Sequence, residues 1–537
     1  MTAKLTIAKF LLNSIKNAGI HKIFGIPGDM VIRFFKVIED DPEIKLYTFS
    51  HEPGVGFAAI ASARATRKPA VACITYGVGG LNMLNSVACA YAEKTPLIVI
   101  SGGQGEEEKA NDVFLHHSVK NYESQLNVFK EVTCEACILD SPKTAYSKIK
   151  KTIAACQEFM LPVYIEIPRD MVDKEIVIPQ NEDKWQYPVH REAIEEAADE
   201  IISRISTAKK PVIIVGVEAD RFELNEKIIS LSRKTGLPIV SDFLARDIIP
   251  KDEPNYFGIY LGEAGNSTAK DLVDQADFLL MLGVIITDTN LGIKLKRLKR
   301  ENMILCVSRK VLAGHHIYEN VPLHPLTEEL LNREIKKKIL SYPAKPKLTF
   351  NKACKYTEDT VTVNEIVDAV NWFFNEFGKM PIISDTGDCL FASTKIDTTS
   401  VMASPYYATM GFGTPAAIGY AITTGNRPLV LLGDGGFQMT GQEICHCPRF
   451  GINPIFIIFN NKRAGECNSF SIQVQDLMNL LIGHTQKWLN SGEAKATSVI
   501  PVKNFTERLK IQKRTRHSPL SRHQWGKMNF LKSFYLG

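Results

Sequence analysis

Short, unbroken apolar runs punctuate the chain, and between them apolar residues fall at helical spacing. The runs are AVACITY, PLIVISGG, PVIIVG, PIVSD, FLLMLG, MILCVS, PIISD, PLVLLGDG and PIFIIFNN, bounded by Gly, Pro or Asp. Their shortness and continuity predict strands covered on both faces, as in parallel sheets. Leu5, Ile7, Phe10, Leu11, Leu12 and Ile15 recur every three to four residues and predict a helix. Strands alternating with helical segments predict an α/β fold of parallel sheets covered by helices.

Two punctuated stretches divide this pattern: one near residues 178–192, containing Asp, Pro and Gln, and the Lys/Pro-rich KKKILSYPAKPKL at 336–348. Three α/β domains of similar size are expected, at 1–178, 190–335 and 350–537. No apolar run is long enough to span a bilayer, and the start lacks the basic and apolar regions of a secretion signal. The eleven cysteines are scattered and odd in number, which fits reduced thiols in a cytoplasm better than a disulfide framework. The net charge of +5 does not point to nucleic acid. Residues 503–537 hold nine Lys/Arg against one Glu, so the first 502 residues are slightly acidic.

The strongest chemical signal lies near the end. PLVLLGDG finishes in Gly433-Asp434-Gly435, and the next apolar run finishes in Asn460-Asn461. Two strand ends can thus bring a carboxylate and an amide carbonyl to one edge of a parallel sheet, where such folds bind ligands. Hard oxygen donors beside phosphates suit Mg2+. The stretch Gly436-Phe437-Gln438-Met439-Thr440-Gly441-Gln442-Glu443 reads as a helix start, whose free amides can hold a diphosphate. GDG alone is equally an ordinary strand-to-helix turn. Three further pieces lie in the first domain: Asp29 after a Pro-Gly turn, Glu52 opening an Ala-rich helix, and the adjacent pair His116-His117. Singly, each has a plain reading as a cap, a dipole partner or a solvated loop.

Taken in order, these motifs resemble the thiamine-diphosphate-dependent 2-oxo acid decarboxylases, and residues 1–463 are most similar to the phenylpyruvate and indolepyruvate decarboxylases. GDG followed by NN resembles that family's cofactor signature. SDTGDCLF, YYATMGFGTPAAIGYA and VGFAAIASARA carry the likeness further. The resemblance implies three domains of thiamine-diphosphate-enzyme architecture, a bound thiamine diphosphate and Mg2+. It implies that Asp434, the Asn461 side chain and the Arg463 carbonyl hold the metal, and that Gly435 and Gly436 line the diphosphate site. Glu52 would partner the aminopyrimidine ring, and Asp29, His116 and His117 would move a proton before aldehyde release. Met410 would prop the cofactor into a bent shape, although Met also packs cores well. The Ala408 carbonyl would accept from the aminopyrimidine, with Thr386 and Asp388 lining the site. Leu390 stands where pyruvate decarboxylases carry Trp, which would leave room for an aryl substrate. A homodimer or homotetramer is implied.

After Arg463 the resemblance breaks off. Read one base out of frame, Ile482–Thr497 permit DWPYAKMAEFWGGKGY, which looks like the missing family segment. Residues 464–537 are therefore expected to be frameshifted and poorly matched to the sheet they follow. Two alternative readings remain: a carboligase of the acetolactate-synthase type, a group that lacks the His pair, and an inactive protein produced by the altered end.

Overall fold

Each of the apolar runs becomes a strand, and the strands gather into three sheets. This architecture is seen in a computed structural model that describes residues 5–179, 185–292, 299–340, 342 and 362–460, with the backbone of Lys532–Leu536. The expected first helix forms at Ile7–Asn17, burying Ile7, Leu11, Leu12 and Ile15. Its start is capped by the Thr6 hydroxyl, which accepts from the Lys9 amide.

The first sheet holds β1 (Lys22–Gly25), β2 (Lys45–Thr48), β3 (Ala70–Ile74), β4 (Leu97–Gly103), β5 (Glu135–Ile138) and β6 (Val163–Pro168). All its pairings are parallel, in the order β2-β1-β3-β4-β6-β5. The second holds β7 (Pro211–Val215), β8 (Ile239–Ser241), β9 (Tyr256–Ile259), β10 (Phe278–Leu282), β11 (Met303–Val307), β12 (Lys310–Ala313) and β13 (His316–Glu319). Here the expectation of parallel pairing needs correcting at one edge, because β11-β12-β13 run antiparallel. The cause is local. Ser308 and Arg309 both take positive φ, the two-residue turn whose twist suits a hairpin.

The third sheet holds β14 (Ile382–Ser384), β15 (Val401–Met402), β16 (Leu429–Gly433), β17 (Ile455–Phe459) and β18 (Lys532–Leu536), in the order β15-β14-β16-β17-β18. Up to β17 it repeats the order of the first sheet. Strand β18 comes from the end expected to be out of frame, yet its backbone pairs in parallel with β17, Ile455 opposite Lys532. In an open parallel sheet, ligands bind beyond the carboxyl ends of the strands where the order reverses. Those points lie between β1 and β3 in the first sheet and between β14 and β16 in the third.

The first and third sheets share a core. The helix Glu52–Thr66 buries residues on every side, and so does Gly413–Thr424. A Cβ on Gly419 would stand 2.1 Å from the Ala58 carbonyl oxygen. The two helices thus meet at backbone distance, which explains why both segments are built from Ala and Gly. Phe57, Phe412, Ile418 and Phe456 fill the space around this crossing. Among the described residues, no helix is long and apolar enough to cross a membrane.

Candidate active site

Asp434 follows directly on the carboxyl end of β16, beside the reversal point of the third sheet. Its carboxylate is almost completely buried, and Oδ1 accepts from the Gly435 amide at 2.9 Å. The helix begins at Asp434 itself and runs to Thr440, so the expected start at Gly436 is two residues late. An ionised carboxylate only accepts, so Asp434 suits the first turn of the helix, where the free amides and the dipole favour an anion. At the neighbouring end of β14, Asp385 accepts from the amides of Thr386 at 2.8 Å, Gly413 at 3.0 Å and Gly411 at 3.1 Å. Burial pushes the Asp385 carboxyl up to about 6, and those amides pull the other way. Thr386 and Asp388 follow on the same loop, Asp388 opening the helix Asp388–Ser393.

Two glycines keep this end of the sheet open to a ligand. No atom lies within 4 Å of where a Cβ on Gly433 or Gly387 would stand, and Gly387 has φ +86°. The Met410 methyl lies 3.1 Å from the Cβ position of Gly435, and the Met410 side chain is 45% exposed. A glycine cradle, a buried hard-oxygen donor and an exposed apolar prop together fit a diphosphate cofactor with its metal. Asn461 and Arg463 lie outside the described residues.

The segment carrying Ala408 and Met410 is strained and tied down. Ala408 takes φ +54°, a left-handed conformation that costs energy for a residue with a Cβ. Glu93, fully buried, holds it from the first domain. Its Oε1 accepts from the Ser404 hydroxyl at 3.0 Å and from the amides of Tyr406 and Tyr407 at 2.9 Å. Its Oε2 takes Arg64 Nη2 at 2.7 Å, and Arg64 Nη1 reaches the Ala403 carbonyl at 2.6 Å. Removing Glu93 strands a buried guanidinium. Glu93→Ala should therefore cost about 3–5 kcal/mol, read as a lowered denaturation midpoint. An unchanged midpoint would contradict this role.

The other cluster sits at the reversal point of the first sheet. Gly28 and Asp29 follow β1, and a Cβ on Gly28 would stand 2.5 Å from the Thr75 Cβ just after β3. His116 Nε2 lies 2.5 Å from Asp29 Oδ2, and His117 Nε2 lies 3.8 Å from Oδ1. Partial burial alone would raise the Asp29 carboxyl. The hydrogen bond and charge of His116, the Met30 amide and the charge of His117 outweigh it and hold Asp29 below its usual value. Glu52 is the first residue of its helix, and its Oε2 accepts from Asn82 Nδ2 at 2.5 Å. Asn82 belongs to the helix Val78–Ala92, and one turn further along it Asn85 Nδ2 donates to Thr409 Oγ1 at 2.9 Å. The Glu52 end of the first domain thus reaches the Ala408–Met410 segment.

Three family models match the chain in order. They are the thiamine pyrophosphate enzyme N-terminal TPP binding domain at residues 5–127, the central domain at 198–326 and the C-terminal TPP binding domain at 385–479. An indole-3-pyruvate decarboxylase of Azospirillum brasilense is 38% identical over 467 residues, covering 85% of this chain and 84% of that protein. This chain belongs to the thiamine pyrophosphate enzymes of the decarboxylase family. Pyruvate decarboxylase isozyme 3 of Saccharomyces cerevisiae is 26% identical, covering 86% of this chain and 84% of that protein. Pyruvate decarboxylase 4 of Arabidopsis thaliana is also 26% identical, at 86% and 78%. The third match runs past Arg463, where the motif likeness breaks off, to residue 479.

For a thiamine pyrophosphate enzyme, one reading of the sequence fares badly. Leu390 is buried against Phe243 and Leu261 of the central domain, while its neighbour Phe391 is the exposed side chain. The room that Leu390 leaves is taken by protein, so its size is a weak argument for an aryl substrate. The sequence reading also passed over Glu93, Asp385, Asn82 and Asn85. Glu93 looks like any charge at a helix end. The two Asn residues did carry a signal, since they recur three apart in the otherwise apolar helix Val78–Ala92.

Proposed function

We propose that this protein removes CO2 from an aryl 2-oxo acid of the phenylpyruvate or indolepyruvate type and releases the aldehyde, using thiamine diphosphate and Mg2+. The observation that carries the reading is the Asp29–His116–His117 cluster at a ligand-binding sheet edge, in a chain of this family. Bound thiamine diphosphate supplies the electron sink for loss of CO2. Asp434 would hold the metal, with Asn461 and Arg463 as its partners in this reading, and Gly435 and Gly436 would line the diphosphate site. Thr386, Asp388, the Ala408 carbonyl and Met410 fix the cofactor's position. Glu52 exchanges a proton with the aminopyrimidine ring, oriented by Asn82. His116 and His117 deliver a proton to the product, and Asp29 orients them.

The same reading takes the domains as 1–178, 190–335 and 350–537, the active unit as a homodimer or homotetramer, and the location as cytoplasmic. It also takes residues 464–537 as frameshifted, which coding DNA that runs in frame through codon 463 would overturn. The function itself is tested by substrate and product together. With thiamine diphosphate and Mg2+, phenylpyruvate and indolepyruvate should yield aldehyde with kcat/KM at least ten times that for pyruvate, a ratio one aryl pocket can supply. A preference for pyruvate would overturn the substrate class. Acetolactate from pyruvate would favour the carboligase reading.

A further inference from the structure

The cluster that moves protons also has the composition of a transition-metal site. Asp29, His116 and His117 each offer a ligand atom, and these atoms all lie within 4.8 Å of one another. Ligands about 2.0–2.1 Å from a tetrahedral ion stand roughly 3.3 Å apart. The 2.5 Å contact between His116 and Asp29 must open by about 0.8 Å, and no separation need close by more than about 1.5 Å. Rotamer adjustment covers such shifts, because the side chains of Asp29 and His116 are at least half exposed and that of His117 is 28% exposed.

The backbone beneath them is held. His117 takes φ +71°, and its carbonyl oxygen lies 2.1 Å from where a Cβ on Gly77 would stand. The Gly77 amide donates to Gln125 Oε1 at 2.7 Å. A backbone N–H can only donate, so the Gln125 amide is oriented with Nε2 toward Ser101 Oγ at 3.0 Å and the Tyr164 hydroxyl at 2.6 Å. Tyr164 in turn donates to Glu166 Oε2 at 2.7 Å. Further along the loop, Gln104 bonds Ser118 and Arg169 pairs with Glu108. The held main chain fixes where the three ligands start, and their partly exposed side chains can turn to meet an ion.

The donor set also selects the ion. Two imidazoles and one carboxylate suit Zn2+ or Co2+, whereas Mg2+ prefers the all-oxygen donors expected around Asp434. We propose that Asp29, His116 and His117 form a second metal site, which binds a borderline divalent cation such as Zn2+ and thereby withdraws both imidazoles from proton transfer. Binding stands on the geometry alone, while its inhibitory effect rests on the proton-transfer role proposed above.

The test uses the untagged full-length chain, stripped with a chelator and held in excess Mg2+. It is titrated with ZnCl2 by calorimetry and with CoCl2 by visible absorption. One ion per chain should bind, with the ligand-field bands of four-coordinate Co2+. His116→Ala/His117→Ala and Asp29→Asn should each weaken this binding by roughly 100-fold or more, and Asp434→Ala should leave it intact. Equal Zn2+ uptake by the wild type and the double-histidine variant would overturn the site. If Zn2+ binds through the histidines but aldehyde release continues at its original rate, the metal site stands and the proton-transfer role falls.

Discussion

Asp434→Ala should lose thiamine diphosphate binding measured by calorimetry in the presence of Mg2+. The carboxylate sits at the reversal point of the third sheet, almost completely buried, and is the charged donor assigned to the metal. Even for unit charges 4 Å apart near a protein surface, attraction is worth about 4 kcal/mol, and a divalent ion in contact gains more before desolvation is subtracted. A loss of at least about 10²-fold in cofactor affinity is the expected result. The folded sheet should survive, because Asp434 follows β16 instead of lying inside it. Unchanged affinity would remove the metal assignment and leave GDG as a turn.

Glu52→Gln should separate binding from chemistry. The amide oxygen of Gln can still accept from Asn82, so the helix start and its hydrogen bond persist. What is lost is a group able to give and take a proton. Cofactor affinity should change little, while proton exchange at the thiazolium carbon slows by about 10² or more. Exchange at the wild-type rate would exclude Glu52 from the acid–base step.

The fold was legible where periodicity carried it. Continuous apolar runs such as Phe278–Leu282 and Leu429–Gly433, bounded by Gly or Pro, fit strands of a covered sheet, and they form such strands. The antiparallel edge at β11-β12-β13 was not legible, because Ser308-Arg309 lacks the Asn-Gly or Asp-Gly signature of its turn type. At the site, Asp29, His116 and His117 were readable as motifs and are brought together. Glu93 was not, since its importance comes from the Tyr406 and Tyr407 amides, more than three hundred residues away in sequence. Leu390 misled for a related reason. Its size was known from sequence, but its packing against Phe243 was not.

In the proposed function, Glu52 with the Asp29–His116–His117 group from one copy of the chain and Asp434 with the cofactor cradle from a second copy would act on one thiamine diphosphate. A two-fold interface would give each dimer two such sites. Mixing Glu52→Gln and Asp434→Ala subunits tests this directly, with aldehyde formation as the readout. In a mixed dimer one site carries both lesions and the other carries none, so activity absent from either variant alone should partly return. If mixed dimers are confirmed and no activity returns, both residues of a site belong to the same chain and the shared site is contradicted.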